Sequence, residues 1–158
     1  WSPDGETVYY SKDGALWRVD ADGGNNKRLI GRNQTGISPY PAIENPVPSP
    51  DGTRVYISLN LEGLYAGVSE NQIAVCELSS RSVQRITDAD SWALSPDGST
   101  LVWNQGEWLV AYDVSSGTRR QLVKGRNPHF SPAGDRVVYL YRESLSEEFE
   151  IRIVDLSP

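Results

Sequence analysis

The chain has 158 residues, 38% hydrophobic and 23% charged, with a net charge of −6 at neutral pH. Five Trp and eight Tyr beside many aliphatic residues exclude a disordered chain, and no apolar run reaches the ~18–20 residues of a membrane helix. Membrane insertion is therefore not expected, the acidic balance argues against nucleic-acid binding and against an anionic membrane surface as partner, and one Cys excludes an intrachain disulfide or a cysteine zinc cluster.

In chain order, the first element opens at Trp1 and turns through Ser2-Pro3-Asp4-Gly5. Val8-Tyr9-Tyr10 then reads as a strand, because β-branched and aromatic residues between turn residues suit a pleated, half-buried surface. Ser11-Lys12-Asp13-Gly14 turns again, Leu16 to Ala21 forms the next strand, Asp22-Gly23-Gly24 turns, and a strand follows around Leu29. After a link from Gly31 to Asn45 the order restarts at Ser49-Pro50-Asp51-Gly52, with strands at Val55-Tyr56-Ile57, Ile73 to Leu78 and around Ile86. It restarts at Ser95-Pro96-Asp97-Gly98, with strands at Leu101-Val102-Trp103, Leu109 to Val114 and around Leu122. The last copy is Ser131-Pro132-Ala133-Gly134, with strands at Val137-Val138-Tyr139 and Ile151 to Leu156. Residues preceding each motif (Trp1, Pro48, Leu94, Phe130) mark a further strand ahead of it. In each motif Pro sets φ at the corner, Asp bonds nearby backbone, and Gly takes the φ > 0 position.

The motif starts lie 47, 46 and 36 residues apart, near the ~40–50-residue period of propeller blades. Each repeat therefore reads as four strands, A to D, with the motif as the A–B turn. No stretch keeps a 3.6-residue period, so almost no helix is expected. The expected fold is all-β: one β-propeller domain or segment over residues 1–158, with blades at about 1–30, 46–87, 92–123 and 128–158. The first blade lacks most of strand A and the last lacks strand D, so the chain reads as a segment of a larger propeller, with a four-bladed ring closed through degenerate edge strands as the alternative. Its open sheet edges would be available for self-association.

Ser-Pro-Asp-Gly before an apolar strand, then Ser11-Lys12-Asp13-Gly14 and Leu16-Trp17-Arg18-Val19-Asp20-Ala21-Asp22-Gly23, resembles the TolB-type WD-like β-propeller repeat. Four tandem copies carry the resemblance along nearly the whole chain. Two departures are Ser79-Ser80 without Gly in the second repeat and Ala133 in place of Asp in the fourth. The resemblance implies an antiparallel propeller and an extracytoplasmic, TolB-like periplasmic setting. It also implies a second context, the propeller of a prolyl-oligopeptidase-type serine peptidase, where the segment would gate access to a catalytic domain outside this chain.

In a meandering blade the A–B and C–D turns share one face, and the B–C and D–A connections share the other. The long connections, Gly31 to Asn45, Asn60 to Asn71 and Tyr141 to Phe149, all belong to the second face. Long loops on a rigid scaffold are where function concentrates. Arg32, Tyr40, Leu64, Tyr65, Arg142 and Phe149 are the candidate contacts for a protein or peptide partner. Glu44, Glu62, Glu70, Glu143, Glu147 and Glu148 outnumber Arg32 and Arg142 there, so an acidic rim and a basic partner are expected.

Catalytic chemistry finds little support. His129 is the single His, and no Gly-x-Ser-x-Gly context accompanies it. Cys76 aligns with Val19, Tyr112 and Val154 and reads as a small buried hydrophobe. The acid column Asp20, Glu77, Asp113 and Asp155 recurs once per blade and reads as carboxylates bonding local turn backbone. Trp108 follows a short B–C loop and is expected to be partly exposed at the loop face. No cofactor and no metal is expected, and the function expected is non-catalytic binding.

Overall fold

The computed structural model describes residues 1–37, 40–61, 71–144 and 148–156. They fall in two compact units, Trp1–Asp88 and Ala89–Pro158. In the first unit β1 (Thr7–Lys12), β2 (Ala15–Asp20) and β3 (Lys27–Ile30) form a three-stranded antiparallel sheet. β4 (Ala42–Pro48), β5 (Arg54–Asn60), β6 (Asn71–Glu77) and β7 (Val83–Asp88) form a four-stranded one. In the second unit β8 (Trp92–Leu94), β9 (Thr100–Gln105), β10 (Trp108–Asp113) and β11 (Arg119–Lys124) form four strands. β12 (Arg126–Phe130), β13 (Arg136–Tyr141) and β14 (Glu150–Asp155) form three. The only helical element among the described residues is one 3-10 turn at Arg32–Gln34. The all-β expectation, with incomplete first and last sheets, holds.

Each unit buries a core between its two sheets. Leu16, Leu29 and Ile30 pack with Ile43, Val55, Ile57, Leu59, Ala74 and Cys76 in the first. Val102, Leu109 and Ala111 pack with Val137 and Tyr139 in the second. Burial pushes the Cys76 thiol up to about 11, which keeps it protonated and inert at neutral pH.

The repeated turn is held by one serine. Ser2, Ser49 and Ser95 donate their hydroxyls to Asp4, Asp51 and Asp97 at 2.5–2.6 Å. The same oxygens accept the amides of Thr7, Arg54 and Thr100, which open the following strands. Each Asp also accepts the amide two residues on, at 3.0 Å. Gly5, Gly52, Gly98 and Gly134 all sit at φ between 69° and 78°, a region that penalises a Cβ. In the fourth copy Ala133 removes the carboxylate, and Asp135 replaces it, accepting the Ser131 hydroxyl at 2.7 Å.

The acid column divides according to its cross-strand neighbour, a correction to the uniform turn role expected of it. Glu77 lies opposite Arg54, and Asp155 opposite Arg136. They form ion pairs of 2.7 and 3.0 Å. Asp20 and Asp113 lie opposite Thr7 and Thr100, which carry no charge. Asp113 therefore accepts the amides of Ser115 and Ser116, whereas Asp20 takes Arg18 and the side chain of Asn25.

The first strand of the second sheet begins at Ala42, ahead of the expected blade start at residue 46. Two prolines make this stretch read as a non-strand, because Pro cannot donate to a ladder. The chain solves the problem with a bulge. Asn45 takes φ 47° ahead of Pro46, and the register shifts between Glu44 and Val47. Asn127 does the same ahead of Pro128, at φ 51°, with a shift between Arg126 and His129.

Two outcomes are expected. An added Cβ at Gly52 meets nothing within 4 Å, so Gly52→Val should cost ~1–3 kcal/mol through backbone strain alone, and Gly52→Asn clearly less. Chemical denaturation of both variants checks this; equal losses would contradict it. The second concerns acid. The Ser49 hydroxyl, then the Thr53 amide and hydroxyl, hold the Asp51 carboxyl down at about 2, against ~3.9 when unfolded. A depressed carboxyl stabilises the fold above the unfolded value, and that contribution disappears as pH falls from ~4 through 2. Melting temperature should drop across that window, and Ser49→Ala should flatten part of the drop.

Candidate functional site

In the second unit the B–C hairpin Gly106-Glu107, the D–A link at Gly125 and, from the connection after Tyr141, Arg142, Glu143, Ser144 and Phe149 converge at one end of the strands. They enclose a groove of about 130 Å³ lined by Glu107, Lys124, Arg126, Arg142, Glu143 and Phe149, among others. The backbone ties the links together: the Gly125 amide donates to the Glu107 carbonyl at 2.8 Å. Phe149 is 42% exposed. The guanidinium carbons of Arg126 and Arg142 lie over its ring, 4.9 and 4.6 Å from the centroid. Lys124 pairs with Glu107 at 3.3 Å and sits 5.6 Å from the Trp108 ring. Trp108 is partly exposed there, as its short loop implied.

In the first unit the corresponding end carries a wider groove of about 510 Å³, lined by Lys12, Asp13, Trp17, Arg28, Arg32 and Tyr40, among others. Trp17 lies opposite Tyr10 on one side and Arg28 on the other. It stacks on Tyr10 at 6.4 Å, and the Lys12 ammonium lies 5.5 Å from its ring. Arg32 donates to the Tyr40 carbonyl at 3.0 Å, and the Tyr40 side chain is exposed.

The structure therefore brings Arg32 together with Tyr40, and Arg142 together with Phe149. Leu64 and Tyr65 lie outside the described residues. Of the loop acids expected to form an acidic rim, Glu143 lines the second-unit groove. Glu44 is occupied by the Asn60 amide at 3.2 Å, Glu62, Glu70 and Glu147 lie outside the described residues, and Lys12, Arg28, Lys124 and Arg126 enter from strand ends. Counting the long connections missed these four because they lie outside them, in strand ends and short turns. The available signal was position: each is within two residues of a strand's loop-face end.

The opposite end of the second unit has a crevice of about 450 Å³, but its polar groups are already engaged. Asp113 and Asp135 are bound within their turns, and Arg120 donates to the Leu156 carbonyl at 2.7 Å. His129 is an exposed residue of β12 opposite Val138. Among the described residues no group of three or more His, Cys, Asp or Glu side chains could hold a metal.

Comparison with solved structures gives the fold a family likeness. A TolB-type protein of Agrobacterium tumefaciens aligns with a TM-score of 0.70 over 99% of this chain and 56% of its own, at 22% identity. The fold is that of a TolB-like β-propeller. Kuenenia stuttgartiensis hydrazine synthase aligns at TM-score 0.69 and 18% identity, over 98% of this chain and 44% of its own. Porphyromonas gingivalis dipeptidyl peptidase 4 aligns at 0.61 and 14%, over 98% and 28%. The chain thus spans about half the length of the TolB-type protein and less of the other two. No family model matches the sequence, and no curated protein does. No helix among the described residues is long and apolar enough to cross a membrane.

Gly125 sets the shape of the second-unit groove. A Cβ there would collide with the Tyr139 ring and lie 3.1 Å from the Leu140 carbonyl. Gly125→Ala should cost ~1–3 kcal/mol through overpacking, and Tyr139→Leu in the same chain should recover part of the loss. A double-mutant cycle by denaturation measures that coupling; strict additivity would mean the two positions do not meet.

Proposed function

We propose that this chain is a non-catalytic propeller module that binds a protein or peptide through its loop face. The observation that carries the reading is Phe149, exposed yet flanked by Arg126 and Arg142, which extend from strand-anchored backbone. Aromatic and Arg side chains are the enriched residues at interface cores. Rigid strands beneath them lower the ordering cost of binding. Arg32 and Tyr40 provide a second contact of the same kind on the first unit. The TolB likeness supports an extracytoplasmic setting. The likeness to dipeptidyl peptidase 4 favours the second reading, a segment that gates substrate access for a peptidase domain outside this chain.

Selection of displayed random dodecapeptides against the chain tests the first reading. Enriched clones should lose binding to Phe149→Ala, and in part to Tyr40→Ala, while both variants keep their stability within ~0.5 kcal/mol. Clones indifferent to both substitutions would place binding elsewhere. Unfolding of the variants would mean that these side chains are packed structure.

A further inference from the structure

We propose that the second-unit groove recognises an acidic peptide segment, seating one Asp or Glu side chain between Arg126 and Arg142. This rests on the binding reading above and supplies the partner's chemistry.

Three observations carry it. First, Arg126 and Arg142 have no carboxylate partner among the described residues, whereas Arg18, Arg54, Arg85, Arg136 and Arg152 are each in an ion pair. The two acids that line the groove are not paired with them. Glu107 is taken by Lys124, and Glu143 lines the groove without pairing to either arginine. Second, the two guanidinium carbons lie over one ring, so they are no more than about 9.5 Å apart. A guanidinium packed over an aromatic face is weakly hydrated, and its rigid fork of donors matches a carboxylate. Third, the groove holds about 130 Å³, well below the ~300–1,000 Å³ of small-molecule sites. That is room for one anchoring side chain of a larger partner.

The choice of a peptide over a nucleic acid follows from charge at longer range. The net charge of −6 repels a polyanion as a whole, while a local pair of cations still captures a single carboxylate within a Debye length of ~8–10 Å.

The test uses fluorescent Gly/Ser dodecapeptides carrying four Glu, four Gln or four Lys at the same positions, with affinity read by anisotropy. The Glu peptide should bind about tenfold tighter than the Gln peptide at low salt, and the Lys peptide weakest. The gap should close in Arg126→Gln/Arg142→Gln and narrow as salt rises. Thermal melts verify that the double variant is folded; should it not fold, Arg142→Gln alone carries the same comparison. Equal affinity for Glu and Gln peptides overturns the inference, as does a preference that survives in the folded variant. Displacement by an oligothymidylate as effective as by free Glu peptide also overturns it, in favour of a polyanion site. Charge-blind binding that is lost in Phe149→Ala would overturn the acidic partner and leave the peptide reading standing. No binding by any peptide, with selection also empty, would remove both.

Discussion

One serine hydroxyl, used twice, underlies the architecture. In each repeat it donates to a carboxylate and accepts the amide of the residue that opens the next strand. The carboxylate is held in place by a second amide, and Gly supplies the backbone region that the corner requires. The turn thus satisfies its own polar groups without calling on the rest of the sheet, as a short exposed connection must. The substitution of Ala133 shows that the carboxylate matters more than its position. Asp135 approaches from the other side of Gly134 and accepts the same hydroxyl.

The A–B and C–D turns are short in every sheet, and the long connections are of the B–C and D–A kind. These connections are held to the strands by backbone contacts at glycines. Gly14 offers its carbonyl to Ile43, and Gly125 its amide to Glu107. Gly14 allows close approach of Arg32, and Gly125 close approach of Tyr139. Loops mounted this way carry side chains with little freedom to lose on binding, which is the property an interface anchor needs.

Much of this was legible in the sequence, and the exceptions have physical causes. The turn motif, the strand order and the incomplete outer sheets follow from spacing and residue type. The early starts of β4 and β12 did not, because Asn45-Pro46 and Asn127-Pro128 look like strand breakers. They become strand residues only once a positive φ at Asn permits a bulge. The acid column looked uniform because its members align, yet the residue opposite decides the partner. Where that residue is Arg the acid pairs across the strands; where it is Thr the acid bonds its own strand or turn instead. Arg142 and Phe149 were recognisable as loop residues. Arg126 falls between the expected third and fourth blades, but it reaches Phe149 from β12, and only the fold brings the two together.

The same distinction governs the electrostatics. Net charge is a sum over the chain, and at −6 it points to a basic partner. Recognition is decided within a Debye length or so, by the groups that remain unpaired after the protein has satisfied itself. Here several carboxylates are consumed at home, by turn amides at Asp51, Asp97 and Asp113 and by arginines at Glu77 and Asp155. At the loop face Arg126 and Arg142 pack on the Phe149 ring and pair with no acid among the described residues. An acidic protein can therefore present a cationic site. The excess of acid elsewhere sharpens such a site, because it turns away extended polyanions and leaves a single carboxylate on a flexible segment as the ligand that fits.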